Sequence, residues 1–425
     1  MLHRLYRGLT DLGGPAIRLL LARRLAAGKE DPARKQERLG VATRPRPDCP
    51  LVWCHAASVG ESLSILTLVD RLLASRPGTA VLVTTGTVTS ARLMAERLPK
   101  GALHQYVPVD RLPWVRRFLD HWRPDAALWV ESEIWPNMLT EMQRRGIPTA
   151  LVNARMSAKS FAAWRRVPGF VGPLLASFRL CLAQSESEAA RLRELGARDV
   201  RVLGNLKYSA APLPAPSEAL GAVRAAVADR PLWLLASTHP GEEEIAAEVH
   251  ERLAGRHPGL LTVIAPRHPA RGAEISGMLA GRGLAVARRS QGAMPEADSA
   301  VWIVDTLGEL GLLYRLCPIA CVGGSFAWGG HNPVEPAQLG CAIVHGPRMT
   351  NFAAMAAELE GEQASVQVAD AAGLADAVDR LLRDPAERAR LGQAAMRVAE
   401  RNGRVLDRVM DALSPLLAEA GLPAR

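Results

Sequence analysis

Tyrosine and phenylalanine are scarce here, at 4 and 6 of 425 residues, while alanine, leucine and arginine abound. The apolar share of 48% still suffices for well-packed interiors, and the length points to two α/β domains rather than one core. Only six cysteines occur, at 49, 54, 181, 317, 321 and 341, and none forms a C-x-x-C pair. That spacing excludes a disulfide framework or a zinc ribbon. Cys181 and Cys321 lie inside apolar runs, so the thiols read as reduced and buried, as in a cytoplasmic protein. H-E-x-x-H, G-x-x-x-x-G-K-[ST] and Asp-x-Asp are all missing. The familiar metal and P-loop routes to phosphate chemistry therefore have no support, and no metal or cofactor is expected.

Long uncharged runs are missing too. Residues 1–28 are leucine-rich, yet Arg4, Arg7, Asp11, Arg18, Arg23 and Arg24 interrupt them. A spanning helix needs roughly 18 to 20 apolar residues, and a secretory signal needs a small-residue cleavage site; neither is found. What remains is a basic amphipathic segment, with leucines at 2, 5, 9, 12, 19, 20, 21 and 25. It suits the surface of an anionic leaflet, and it equally suits packing on its own domain.

The formal charge of +9 favours anionic partners such as nucleotides, acidic sugars or phospholipid headgroups. No RNA-binding signature or long basic block accompanies it, so nucleic acid is not expected as a partner.

After a polar link at 29–48, strand-like runs alternate with helical ones. Strands are expected at 50–54, 80–85, 104–107, 126–130, 149–152 and 180–183. The composition turns linker-like near 210–216, and the alternation restarts with strands at 232–236, 260–265, 301–304, 318–322 and 342–345. Repeated βα units predict parallel sheets flanked by helices, twice over, with ligands collecting at the carboxyl ends of the strands and in a cleft between the domains. The expected organisation is an N-terminal helix at 1–28, a first domain at 29–210, a linker at 211–216, a second domain at 217–400 and a C-terminal helix at 401–425.

Polar clusters follow the strands. The most informative is Gly323-Gly324-Ser325-Phe326-Ala327-Trp328-Gly329-Gly330-His331-Asn332-Pro333-Val334-Glu335, after the apolar run 319–322. Asn332 reads as an N-cap, Pro333 as the first helical residue and Glu335 as a capping acid. Such a turn offers backbone N–H groups to a phosphate, or is simply a βα connection. Ser58-x-x-Glu61 likewise fits two readings, a capping box or a general base at the sheet edge. Glu131 and Glu133, directly after a buried strand, suit acceptor hydroxyls or a developing positive charge, or cap the next helix. Lys207 and the 153–160 segment bring cations to the same edge. In the second half, Ser237–Glu242, Pro266–Arg271 and Thr306–Leu310 each end a strand. Arg267 is suited to a phosphate, and Glu335 to the hydroxyls of a ribose.

Taken together these segments resemble the bacterial 3-deoxy-D-manno-octulosonic acid (Kdo) transferases of lipopolysaccharide assembly. The matching stretches are HAASVGE at 55–61, VTTGTVTSA at 83–91, PVD at 108–110, ESEIWPN at 131–137, VNARMSAKS at 152–160 and GNLKY at 204–208. They continue with STHPGEEE at 237–244, PRH at 266–268, DTLGEL at 305–310 and GGSFAWGGHNPVEP at 323–336. The resemblance implies a GT-B fold of two Rossmann-like, doubly wound domains facing a cleft. It implies CMP-Kdo as donor and a glucosamine 6′-hydroxyl of the tetraacylated lipid A precursor as acceptor. Transfer would be inverting and metal-independent, at the cytoplasmic face of the inner membrane. Glu61 matches the family's catalytic base, and Glu131 and Lys207 match positions implicated in the transition state. Pro266, Arg267, Leu307, Gly308, Glu309, Asn332, Pro333, Val334 and Glu335 match its CMP-binding segments.

Overall fold

The computed structural model describes residues 2–209 and 211–422. Met1, Ala210 and 423–425, where the N-terminal segment, the first domain and the C-terminal helix were expected to begin or end, lie outside the described residues. The chain divides into two compact units, Met1–Ala210 with Arg404–Arg425, and Ala211–Gly403.

In the first unit seven parallel strands form one sheet: β1 (Leu51–His55), β2 (Ala80–Thr85), β3 (Ala102–Tyr106), β4 (Ala126–Val130), β5 (Thr149–Ala154), β6 (Leu180–Ala183) and β7 (Val200–Val202). Their spatial order is β3-β2-β1-β4-β5-β6-β7. β1, β2, β4, β5 and β6 are buried along their whole length, which is why their sequences read as near-continuous apolar runs. The second unit repeats the theme with β8 (Leu232–Thr238), β9 (Leu261–Pro266), β10 (Val286–Arg288), β11 (Val301–Ile303), β12 (Ile319–Val322), β13 (Ala342–His345) and β14 (Ser365–Gln367). Here the order is β10-β11-β9-β8-β12-β13-β14. The sequence reading did not find β7, β10 and β14. Each has three residues and lies at a sheet edge, too short to show a pattern.

Helices sit on both faces of each sheet. On one face of the first sheet Trp53, Phe118, Trp122, Trp129 and Met138 form a core. Trp53 meets Trp129 edge to face at 5.2 Å and donates from Nε1 to Thr84 Oγ1 at 2.9 Å, so its polar edge is satisfied. On the other face Ile65, Leu68 and Leu72 of helix Val59–Ser75 pack with Val405, Val409, Leu413 and Leu417 of helix Val405–Glu419. The C-terminal helix expected from 401 therefore starts at Val405, after helix Pro385–Gly403. Its apolar face belongs to the first unit's core, where truncating Leu413 to Ala would cost about 2–5 kcal/mol.

The N-terminal segment is two helices, Leu2–Leu12 and Gly14–Ala26. The first is docked by polar groups. Tyr6 donates to Asp110 Oδ2 at 3.0 Å, and Asn137 Nδ2 donates to Thr10 Oγ1 at 3.1 Å. His3 stacks on Phe170 with ring centroids 4.6 Å apart. Its leucines turn outward, with Leu5, Leu9 and Leu12 exposed by 58%, 61% and 83%. Among the described residues no helix is long and apolar enough to cross a membrane.

Candidate active site

In the first sheet the chain leaves β1 towards β2 on one side and later returns to β4 on the other, which makes β1/β4 the topological switch point. Loops at the carboxyl ends of such strands form the natural binding crevice of a doubly wound sheet. Glu61 follows β1 and Glu131 follows β4.

Glu61 sits in the first turn of helix Val59–Ser75, where Ser58 Oγ accepts the Glu61 N–H at 3.3 Å. Its carboxylate does not complete the expected box with the Ser58 backbone. Oε2 accepts the Ala57 N–H at 2.7 Å, and Oε1 accepts the Ser58 hydroxyl at 2.9 Å. Burial raises its pKa above the ordinary carboxylate value, and the negative charges of Glu131 and Glu133 push in the same direction, against the two hydrogen bonds. A half-buried carboxylate of raised basicity is suited to taking a proton from a hydroxyl.

Glu131 has a left-handed backbone, with φ of 60°, and is 8% exposed. Its carboxylate pairs with Lys207 Nζ at 2.8 Å. Asn153, at the end of the neighbouring β5, is also left-handed at φ 53°, and its Oδ1 accepts the Leu206 N–H at 3.0 Å. Asn205 Oδ1 accepts the Lys207 N–H at 3.0 Å, so the turn that carries the lysine is held on both sides. Non-glycine residues in this region cost of order 1–3 kcal/mol and concentrate at functional sites. Glu133 is oriented by two tryptophans. Its carbonyl accepts from Trp129 Nε1 and its Oε2 accepts from Trp135 Nε1, both at 2.5 Å.

In the second unit the switch point lies at β8/β12, flanked by the Ser237–Glu242 turn and the glycine-rich loop. The two are tied together by Glu242, a buried carboxylate that the sequence reading did not single out. Its Oε2 accepts the N–H groups of His239 at 3.0 Å and Gly324 at 2.7 Å, while Oε1 accepts that of Phe326 at 3.2 Å. Trp328 and Gly330 donate to Gly324 O, and His331 donates to Gly323 O. The expected cradle of backbone N–H groups for a phosphate is thus corrected at 324, 326, 328, 330 and 331, whose N–H groups already have acceptors inside the protein. Glycine at 323 is sterically required, since a Cβ there would lie 2.5 Å from Ala236 O.

Helix Val334–Gln338 starts one residue later than the sequence suggested, with Pro333 in the N-cap position. Asn332 still accepts the Val334 N–H at 3.1 Å, and its Nδ2 donates to Glu335 Oε1 at 3.1 Å. Glu335 is therefore held by Asn332. Burial raises its pKa, partly offset by that bond and by Arg267. Arg267 is anchored through its backbone N–H to Thr238 O at 3.0 Å and extends an exposed side chain. A hollow of about 70 Å³ is lined by Pro266, Arg267, Leu307, Gly308, Glu309 and Ser237, among others. Glu309 is turned towards Arg289 at 2.9 Å and accepts from the Thr306 hydroxyl. Five of the nine residues matched to nucleotide-binding segments thus line one hollow, Glu335 lies within the field of Arg267, and Asn332, Pro333 and Val334 build the adjacent helix start.

A family model described as 3-deoxy-D-manno-octulosonic-acid transferase matches residues 33–210. The 3-deoxy-D-manno-octulosonic acid transferase of Rickettsia bellii is 34% identical over 97% of this chain and 99% of its own length. That of Bordetella pertussis is 36% identical over 88% of this chain and 90% of its own. Among solved structures, a glycosyltransferase from Rickettsia africae superposes with a TM-score of 0.57 at 12% identity, over 87% of this chain and 99% of that one. This likeness bears on the fold, which is GT-B, with two parallel seven-stranded sheets.

Proposed function

The chain belongs to the 3-deoxy-D-manno-octulosonic acid (Kdo) transferase family, and from that membership we propose that it transfers Kdo from CMP-Kdo to a lipid A precursor in lipopolysaccharide assembly. The acceptor atom is the glucosamine 6′-hydroxyl of the tetraacylated precursor. The observation that carries the reading is Glu61, a carboxylate of raised pKa at the β1/β4 switch point, within the field of Glu131 and Glu133.

In this mechanism Glu61 removes the hydroxyl proton as the acceptor oxygen attacks the anomeric carbon of Kdo. The bond from that carbon to the phosphate oxygen breaks, and its electron pair leaves with CMP. Attack from the face opposite the departing phosphate inverts the configuration. Positive charge grows on the sugar ring in the transition state, and the Glu131 carboxylate counters it. Lys207, kept in place by Glu131 and Asn205, faces the Kdo carboxylate. Arg267 steadies the phosphate, Glu335 accepts the ribose hydroxyls, and the segments Leu307–Glu309 and Asn332–Val334 enclose the rest of CMP. The donor's single phosphodiester carries one negative charge, which an arginine can match without a divalent ion.

A lipid-embedded acceptor calls for an enzyme at the cytoplasmic face of the inner membrane. The outward leucines of helix Leu2–Leu12, with Arg4 and Arg7 among them, suit that surface. The test is CMP release and product mass from CMP-Kdo and the tetraacylated precursor, with wild type and Glu61→Ala side by side. Product from wild type alone, with CMP still bound by the variant, supports the assignment. Product from both moves the base elsewhere, and no CMP binding by wild type ends the reading.

A further inference from the structure

His239 and His331 come from the two loops at the β8/β12 switch point. Their Nε2 atoms are 2.9 Å apart, their ring planes differ by 2°, and their centroids are 5.1 Å apart. These values place the rings edge to edge in one plane, each pointing Nε2 at the other. One ring must donate and the other accept, so the pair is neutral or holds a single extra proton on an outer Nδ1. Gly324 makes the room, because a Cβ there would sit 3.0 Å from His331 Cδ2. The Trp328 ring lies nearly parallel to His239 at 5.0 Å, and the His268 ring stands almost perpendicular to His239 at 6.0 Å.

The charged and titratable groups facing the pair are Arg267, His268, Glu242 and Glu243. The two carboxylates are already engaged. Glu242 accepts three backbone N–H groups, and Glu243 accepts from Thr238 Oγ1 at 2.6 Å and pairs with Arg271 at 2.7 Å. Burial and the neighbouring basic groups push His331 down to about 4 and lower His239 as well. Three histidines therefore converge beside Arg267 with their acidic neighbours otherwise committed. An anion there would offset the burial and the neighbouring positive charge that oppose protonation.

We propose that the His239–His331 pair is a proton-uptake element for the phosphate, neutral by itself and taking one proton from solvent onto an outer Nδ1 when a phosphate monoester dianion settles beside Arg267. The inference rests on the reading that Arg267 meets the CMP phosphate. Sugar transfer turns a phosphodiester with one negative charge into a monoester with two. A pair that gains its proton as the second charge develops stabilises the departing group more than the bound donor, which is the requirement for accelerating the step. The protonated pair also gains a charge-assisted N–H···N bond.

The experiment uses the full chain with ring-labelled histidine, titrated with CMP and separately with cytidine near neutral pH and followed by nitrogen NMR. CMP is expected to move one ring of the pair to imidazolium shifts, and cytidine to leave both neutral. Calorimetry in two buffers of different ionisation enthalpy should show proton uptake with CMP that His331→Asn removes, with roughly tenfold weaker CMP binding. CMP binding that leaves both rings neutral, or equal uptake by wild type and variant, would overturn the inference while leaving the transferase reading intact. Failure of wild type to bind CMP would overturn both.

Discussion

The Nζ of Lys207 lies 2.8 Å from Oε1 of Glu131, a contact across 76 residues of sequence that joins the end of β4 to the turn after β7. The glutamate side chain taken alone is 11% exposed, and the lysine side chain is more open, at 37%. Removing the lysine strands a buried charge, whereas removing both charges does not. Lys207→Met should therefore destabilise the protein by about 1–3 kcal/mol, and adding Glu131→Gln should recover part of that. Urea unfolding of the two single variants and the double variant reads the coupling directly. Strictly additive effects would show that the contact carries no weight.

Glu61 works as a base only when ionised, so activity falls as pH drops through its folded-state pKa. Burial and the charges of Glu131 and Glu133 raise that value, and the acid limb of kcat/KM should lie above the ordinary carboxylate range. Glu131→Gln removes one repelling charge and should shift the limb to lower pH. Glu61→Gln should lower kcat by roughly 10²- to 10⁴-fold. A limb that stays put in Glu131→Gln would mean that the two carboxylates do not sense each other.

Glu242 satisfies three backbone N–H groups on two loops that lie 82 and more residues apart. Glu242→Ala should cost roughly 3 kcal/mol and weaken CMP binding, because the glycine-rich loop loses its mooring. Glu242→Gln retains one acceptor oxygen and should fall between. Denaturation and CMP calorimetry check the order, and an alanine variant as stable as wild type would rule out the role.

Glu242 also shows where sequence reading stops. The buried parallel strands were legible because both faces of β1, β2, β4 and β5 are largely apolar, and the helix start at Ser58 could be anticipated from its hydroxyl. Within STHPGEEE, however, Glu242 looks like any first-turn acid. Its function depends on β8 lying beside β12, which no local pattern encodes. The backbone donor to the Glu61 carboxylate was misjudged by one residue because Ser58 and Ala57 both present N–H groups within its reach. Five of the glycine-loop amides that one reading offered to a phosphate are taken for a similar reason, since the loop folds back on Gly323 and Gly324 and is tied to Glu242.

Asp110 binds the Tyr6 hydroxyl and the N–H groups of Asn137 and Met138, yet burial pushes its pKa up to about 6. A raised acid pKa means that folding favours the protonated form. The contribution is complete below the unfolded value of about 3.9 and is lost as pH rises through the folded one. Wild type should therefore lose stability relative to Asp110→Asn between pH 4 and 7, on the order of 2 kcal/mol. Thermal unfolding of both proteins across that range gives the difference, and parallel curves would contradict it.

Leu5, Leu9 and Leu12 contribute little to any core, so replacing all three with serine should leave the fold intact. Binding to anionic liposomes should drop at least severalfold, with turnover on a detergent-dispersed acceptor nearly unchanged. Flotation assays measure the first and product formation the second. Undiminished liposome binding would move the membrane contact to another surface.

Helix Val405–Glu419 completes the core that helix Val59–Ser75 begins, although the whole of the second unit lies between them in the chain. On the ribosome, the first unit must wait with Ile65, Leu68 and Leu72 uncovered until the second unit and the helix Val405–Glu419 have both been made. The second unit is continuous and can mature first. The early-made half is thus the late-folding half, and a nascent chain stalled before residue 405 would present a sticky, unfinished sheet face to chaperones.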